Sequence, residues 1–211
     1  MAANTDDSLV LSYLGLRVAV GVIGILLPFT LVFGKFLLES PGILDSISSY
    51  YYSIMGDVFV GSLCAIGVFL LSYRGYERAD DIAGDIAFIT ALGVAFFPTT
   101  PAMNATALQQ TIGTAHLCFA AVFFATLAFF ALFLFRKTNP NKPMTPMKIL
   151  RNVIYAVCGS VIVACILLIV LVKFMPGILP IQNPVFWCES VAIFFFGVSW
   201  FVKGEAILKD E

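Results

Sequence analysis

Three side chains able to carry charge or move protons stand inside long apolar runs of this sequence: Asp57, His116 and Glu189. Each costs on the order of 2.5 to 3.5 kcal/mol at mid-bilayer unless it is paired or wetted. Their presence therefore calls for a partner, a cavity or a chemical role. An acid, an imidazole and a second acid at similar depth could line a proton or solute path, bind a polar ligand, or form a hydrogen-bonded network that fixes helix register. Just ahead of Asp57 the chain reads Asp45-Ser46-Ile47-Ser48-Ser49-Tyr50-Tyr51-Tyr52-Ser53, a dense set of hydroxyls with one carboxylate. Asp45, Ser49, Tyr51 and Ser53 join the first three as candidate lining of an outward-opening polar pocket. The alternative use of these types is structural: Ser and Asp cap helix starts, and Tyr marks the membrane interface, with one end apolar and the other wet.

Catalytic and metal chemistry fit less well. Zinc sites gather three or four ligands rich in His and Cys, and the chain has one histidine, so no metal is assigned. Two axial histidines for a haem are lacking for the same reason, and no cofactor is expected. A serine hydrolase would need a serine beside His116 backed by an acid. Ser48, Ser49 or Ser53 with Asp57 could supply those types, but no G-x-S-x-G elbow is present.

These residues must be positioned by membrane helices. Of 211 residues, 60% are hydrophobic and 12% charged, which leaves too little polar surface to cover a soluble globule. Basic residues are scattered, so no nucleic-acid partner is implied. The five cysteines, Cys64, Cys118, Cys158, Cys165 and Cys188, fall in apolar runs without paired spacing and read as small buried hydrophobes, not a disulfide framework. The opening residues carry Asp6 and Asp7 in place of a basic leader, so the first apolar run is expected to be retained.

A span needs roughly 20 apolar residues. Six runs predict helices at about 13–33, 54–73, 82–97, 111–135, 149–174 and 184–202, separated by Pro and Gly clusters that break helices. Only Pro28 falls inside a run. The expectation is an all-α, polytopic, six-helix bundle forming one domain over residues 1–211. Arg74, Arg78, Arg136, Lys137, Lys142, Lys148, Arg151, Lys203 and Lys209 fall on one side and only Lys35 and Lys173 on the other. That places both termini in the cytoplasm, with loops one, three and five outside. Near the inner face, Arg17, Asp85, Lys203 and Glu205 are expected to form ion pairs as anchors. Small residues such as Gly61, Ala65, Ala121 and Ala125 permit close contacts within the bundle or between copies, leaving a homo-oligomer open.

The strings SISSYYYSIMGDVFVGSLCAIGVFLLSYRGYE (Ser46 to Glu77), GVAFFPTTP (Gly93 to Pro101), GTAHLCFAAVFF (Gly113 to Phe124) and FWCESVAIFFFGVSWFVKGE (Phe186 to Glu205) resemble a group of bacterial six-helix membrane proteins that carry a domain of unknown function. The resemblance spans most of the chain and implies a multi-pass protein of the bacterial inner membrane. More remotely, the layout is similar to Frag/DRAM/Sfk-type membrane proteins and to ceramidase-like hydrolases. The latter would imply roles for Ser53, Asp57 and His116, but two zinc-ligating histidines and one helix are missing here. The leading expectation is a non-enzymatic binder of a lipid or small solute; a ceramidase-like lipid hydrolase and a proton-linked transporter or channel are the alternatives.

Overall fold

The computed structural model describes residues 13–73, 77–138 and 143–209, and among them every regular element is helical. Six helices follow in order: α1 (Tyr13–Leu38), α2 (Gly56–Leu71), α3 (Arg78–Phe96), α4 (Ala107–Phe129), α5 (Pro146–Phe174) and α6 (Pro184–Lys203). A wider π turn, Phe130–Leu134, continues α4. Each apolar run thus becomes one helix. The expected ends move outward where caps lie beyond the run. Thr106 and Gln109 close a capping box that starts α4 at residue 107, and the Thr145 hydroxyl accepts from Lys148 N ahead of Pro146 at the first position of α5. The acidic N-terminal residues, Arg74 and Lys142 lie outside the described residues.

Four helices, α1, α4 with its π turn, α5 and α6, are long and apolar enough to cross a membrane. The 16 residues of α2 reach only about 24 Å at 1.5 Å per residue. The opening half of α3 carries Asp80, Asp81 and Asp85, which lowers its apolar character. An all-helical chain with several such helices fits a membrane protein.

The helices close a ring in which each packs on its neighbours in sequence, and α6 returns to α1. Phe59, Leu63, Leu27, Phe123, Leu127, Phe196 and Trp200 fill its centre and are almost wholly buried. The α1–α6 seam depends on glycine. A Cβ at Gly21 would lie 2.6 Å from Phe201 N, and one at Gly197 2.6 Å from Ile25 N, so the two backbones touch where side chains would hold them apart.

Loops one, three and five gather at one end of the ring, called here the odd-loop end, and loops two and four gather at the other. The even-loop end is locked by aromatic rings and cations. Tyr73, Phe130, Phe135 and Trp200 meet edge to face at centroid distances of 5.1 to 5.3 Å. Arg17 lies 4.2 Å over the Tyr13 ring and donates to Lys203 O, and Lys203 Nζ sits 5.4 Å from the Phe135 ring. At this end Lys137 forms ion pairs with Asp80 at 2.8 Å and with Glu77 at 3.1 Å. Asp80 is fully buried and also accepts from Glu77 N, closing the capping box of α3.

Candidate functional site

The polar loop between α1 and α2 folds into the mouth of the ring. Its centre is a short 3-10 turn, Ser48–Tyr52, whose Tyr50 is buried together with Ile47 before it and Met55 after it. A polar loop can be drawn inward only if its backbone groups find partners, and the start of α6 supplies them. Phe186 N donates to Asp45 O at 3.0 Å. Asn183, in the left-handed region at φ 52°, donates from Nδ2 to Ile43 O at 2.8 Å. Glu189 Oε2 accepts from Ile47 N at 2.7 Å, and the Ser48 amide is directed at the same carboxylate. The loop is therefore a plug, held from below by a carboxylate on α6.

The sequence-predicted residues divide around this plug. Above it lies a cleft of about 650 Å³ lined by Asp45, Ser49 and Ser53, together with Lys35, Glu39, Tyr52 and Thr99. Below it Glu189 borders a small cavity of about 20 Å³ with Ser48, Phe59, Leu63, Phe123 and Ile193, room for about one water. His116 is buried elsewhere: its Nδ1 lies 2.6 Å from Phe97 O, tying α4 to the end of α3. A carbonyl only accepts, so Nδ1 carries the proton. Asp57 is exposed in the first turn of α2, where a carboxylate complements the helix dipole. Tyr51 is half-buried and stacks edge-on against Tyr52 at 5.1 Å. Asp57, His116 and Glu189 thus stand in three different settings, and among the described residues no three His, Cys, Asp or Glu side chains gather as a metal-holding group.

Comparison with family models, curated proteins and solved structures finds no match. What the site can do has to be argued from its own chemistry.

Lys35, Glu39, Tyr52 and Thr99 also line the cleft, beyond the candidates that the sequence offers. Lys35 stands in the last turn of α1 and is only 5% exposed, yet the partners of its ammonium are Ser40 O and Ser40 Oγ, both at 3.0 Å. Among the described residues two of its three N–H donors are engaged in this way. Glu39 accepts from Ile54 N at 2.9 Å and so fixes the exit of the plug. Tyr52 donates from its hydroxyl to Thr99 O at 2.8 Å, joining loop one to loop three. Burial holds its phenol above the ordinary range, so it remains a donor at neutral pH. Ser46 and Ser49 share a 2.8 Å hydroxyl contact, and Ser53 donates to Tyr50 O at 2.8 Å. Asp45 is exposed at the rim. The cleft therefore offers one buried cation, two carboxylates and a row of hydroxyls. The signal in the sequence was the pairing Lys35/Glu39, four residues apart at the end of an apolar run, a spacing that puts both on one helix face.

Proposed function

We propose that the chain is a six-span membrane protein with cytoplasmic termini whose cleft, at the odd-loop end and facing outward, binds the polar part of a lipid or small solute. The observation that carries this reading is the cleft itself. It has the size of small-molecule sites, which run from about 300 to 1,000 Å³, and at its base lies a buried ammonium. The orientation rests on charge: among described residues Arg78, Arg136, Lys137, Lys148, Arg151, Lys203 and Lys209 belong to the even-loop end, against Lys35 and Lys173 at the other.

Binding is favoured over hydrolysis because the cleft serines stand apart from the histidine that a relay would need. His116 is buried against Phe97 O and does not line the cleft, and the cleft serines bond to one another and to Tyr50 O. It is favoured over transport because the ring below the plug is filled with apolar side chains. Thr90, Thr126 and Ser199 donate their hydroxyls to carbonyls of their own helices, and among the described residues no hydrogen bond links polar side chains from one end to the other.

The test is thermal unfolding in detergent with soluble glycerophosphocholine as the probe. The account expects a concentration-dependent rise in Tm that is lost in Lys35→Met and Asp45→Asn but kept in Asp57→Asn, whose carboxylate lies outside the cleft. An equal rise in all four proteins, or none in the parent, contradicts it.

A further inference from the structure

The cleft continues along the side of the bundle. Ile43, which lines the cleft, also lines a groove of about 400 Å³ between α1 and α6. Phe29, Val32, Phe33, Trp187, Val191 and Phe194 form most of its walls. It begins at Pro28, where the missing N–H interrupts the α1 ladder, just beyond the tight glycine seam. The groove is open along its length, since Phe33 is 63% and Trp187 46% exposed, and on a membrane helix pair that opening faces acyl chains. Among the described residues Ser190 is the one hydroxyl in its lining, 8% exposed, and its Oγ is buried with no hydrogen-bond partner there. A polar slot and an apolar trough that meet at one residue have the shape of an amphiphile. The buried Lys35 ammonium suits a phosphate, and the Asp45 carboxylate at the rim suits a cation. With Glu39 beside them, a purely anionic head would meet two negative groups for one positive.

We propose that cleft and groove form a single site for a membrane lipid with a zwitterionic phosphate–ammonium head, one acyl chain of which lies in the α1–α6 groove. This rests on the binding role proposed for the cleft and adds the class of ligand. The phosphate meets Lys35, the ammonium meets Asp45, and the first carbonyl of the chain accepts from Ser190.

Trp187 makes the groove its own reporter, because the second tryptophan, Trp200, is buried among aromatic rings at the opposite end. The probe is a phosphocholine lipid with brominated acyl chains, titrated into the detergent-solubilised protein while tryptophan fluorescence is followed. Expected is saturable quenching that disappears in Trp187→Phe. Its midpoint should move at least fivefold in Val191→Phe, which fills the trough at a partly exposed wall, and by a similar factor in Asp45→Asn. Brominated phosphatidylglycerol should bind at least fivefold more weakly in the parent. Quenching that rises linearly with lipid and is unchanged in Val191→Phe overturns the groove. If glycerophosphocholine still raises Tm in that case, the cleft reading stands and the acyl-chain assignment alone falls; if it does not, both fall. Equal affinity for the two brominated lipids overturns the zwitterionic head.

Discussion

Glu189 on α6 accepts a 2.7 Å hydrogen bond from the backbone amide of Ile47, 142 residues earlier in the chain. That contact converts a polar loop into a plug and separates the outer cleft from the apolar interior of the ring. It also explains why an acid is present in an apolar run. Buried amides need an acceptor, and a carboxylate makes a stronger one than a neutral group.

Removing that acceptor loosens the plug. Glu189→Leu leaves the Ile47 amide unpaired in a buried setting, a cost of about 1–3 kcal/mol, with Glu189→Gln nearer the lower value because an amide oxygen still accepts. Hydrogen exchange resolves the effect: amides of residues 43–53 should exchange faster in Glu189→Leu, while α5 amides do not change. Uniform acceleration throughout the chain would mean that Glu189 supports the whole bundle and not the plug.

His116 acts as a clamp between α3 and α4 through Phe97 O. His116→Ala should lower stability by about 1–3 kcal/mol through the vacated volume and the unpaired carbonyl, and His116→Asn should recover part of it. Glycerophosphocholine should still raise Tm in both variants, because the clamp lies outside the cleft. Loss of that rise with Tm otherwise intact would return His116 to the binding site.

At the even-loop end the buried Asp80 carboxylate and the Lys137 ammonium are joined at 2.8 Å. Removing either partner strands the other, so Lys137→Met should cost about 2–4 kcal/mol, below the 3–5 of a fully buried pair because Lys137 is partly exposed. The hydrogen bond to Asp80 holds the Lys137 ammonium above the usual lysine range. A raised cation pKa gives stability that is complete below the unfolded value and is lost only as pH rises through the folded one. The Tm gap between parent and Lys137→Met should therefore be constant from about pH 6 to 9 and narrow only in stronger alkali. A gap that closes at neutral pH would contradict the pairing.

The glycine seam should not tolerate bulk. Gly197→Val puts side-chain atoms where Ile25 N, Gly21 O and the Gly24 backbone already stand, which forces the helices apart at a cost of about 1–3 kcal/mol or more. Gly61→Val, at a position with open space around its Cβ, should leave Tm nearly unchanged. Similar losses at both sites would mean that the seam does not govern α1–α6 packing.

Much of the architecture was legible because apolar runs of spanning length have one cheap backbone solution in lipid, and the Pro and Gly clusters between them mark the ends. Helix starts were misplaced by a few residues where Thr106 and Thr145 cap beyond the apolar stretch. The site was legible only in part. Asp45, Ser49 and Ser53 could be grouped because they share one loop, whereas depth alone could not show which way Asp57, His116 and Glu189 face. Helical phase and loop path decide that, and the loop path depends on the pairings of Asp45 O with Phe186 N and of Ile43 O with Asn183. In the sequence Lys35 is legible only as a charge, since its burial follows from the turn at Ser40 whose carbonyl it caps.

The most direct test of the binding role is native mass spectrometry of the protein after reconstitution with a phosphocholine lipid and extraction in mild detergent. The account predicts one lipid retained per chain by the parent and by Asp57→Asn, and loss of that adduct in Lys35→Met and in Asp45→Asn. Equal retention in all four, or a broad ladder of adducts with no preferred number, would contradict a specific site in the cleft.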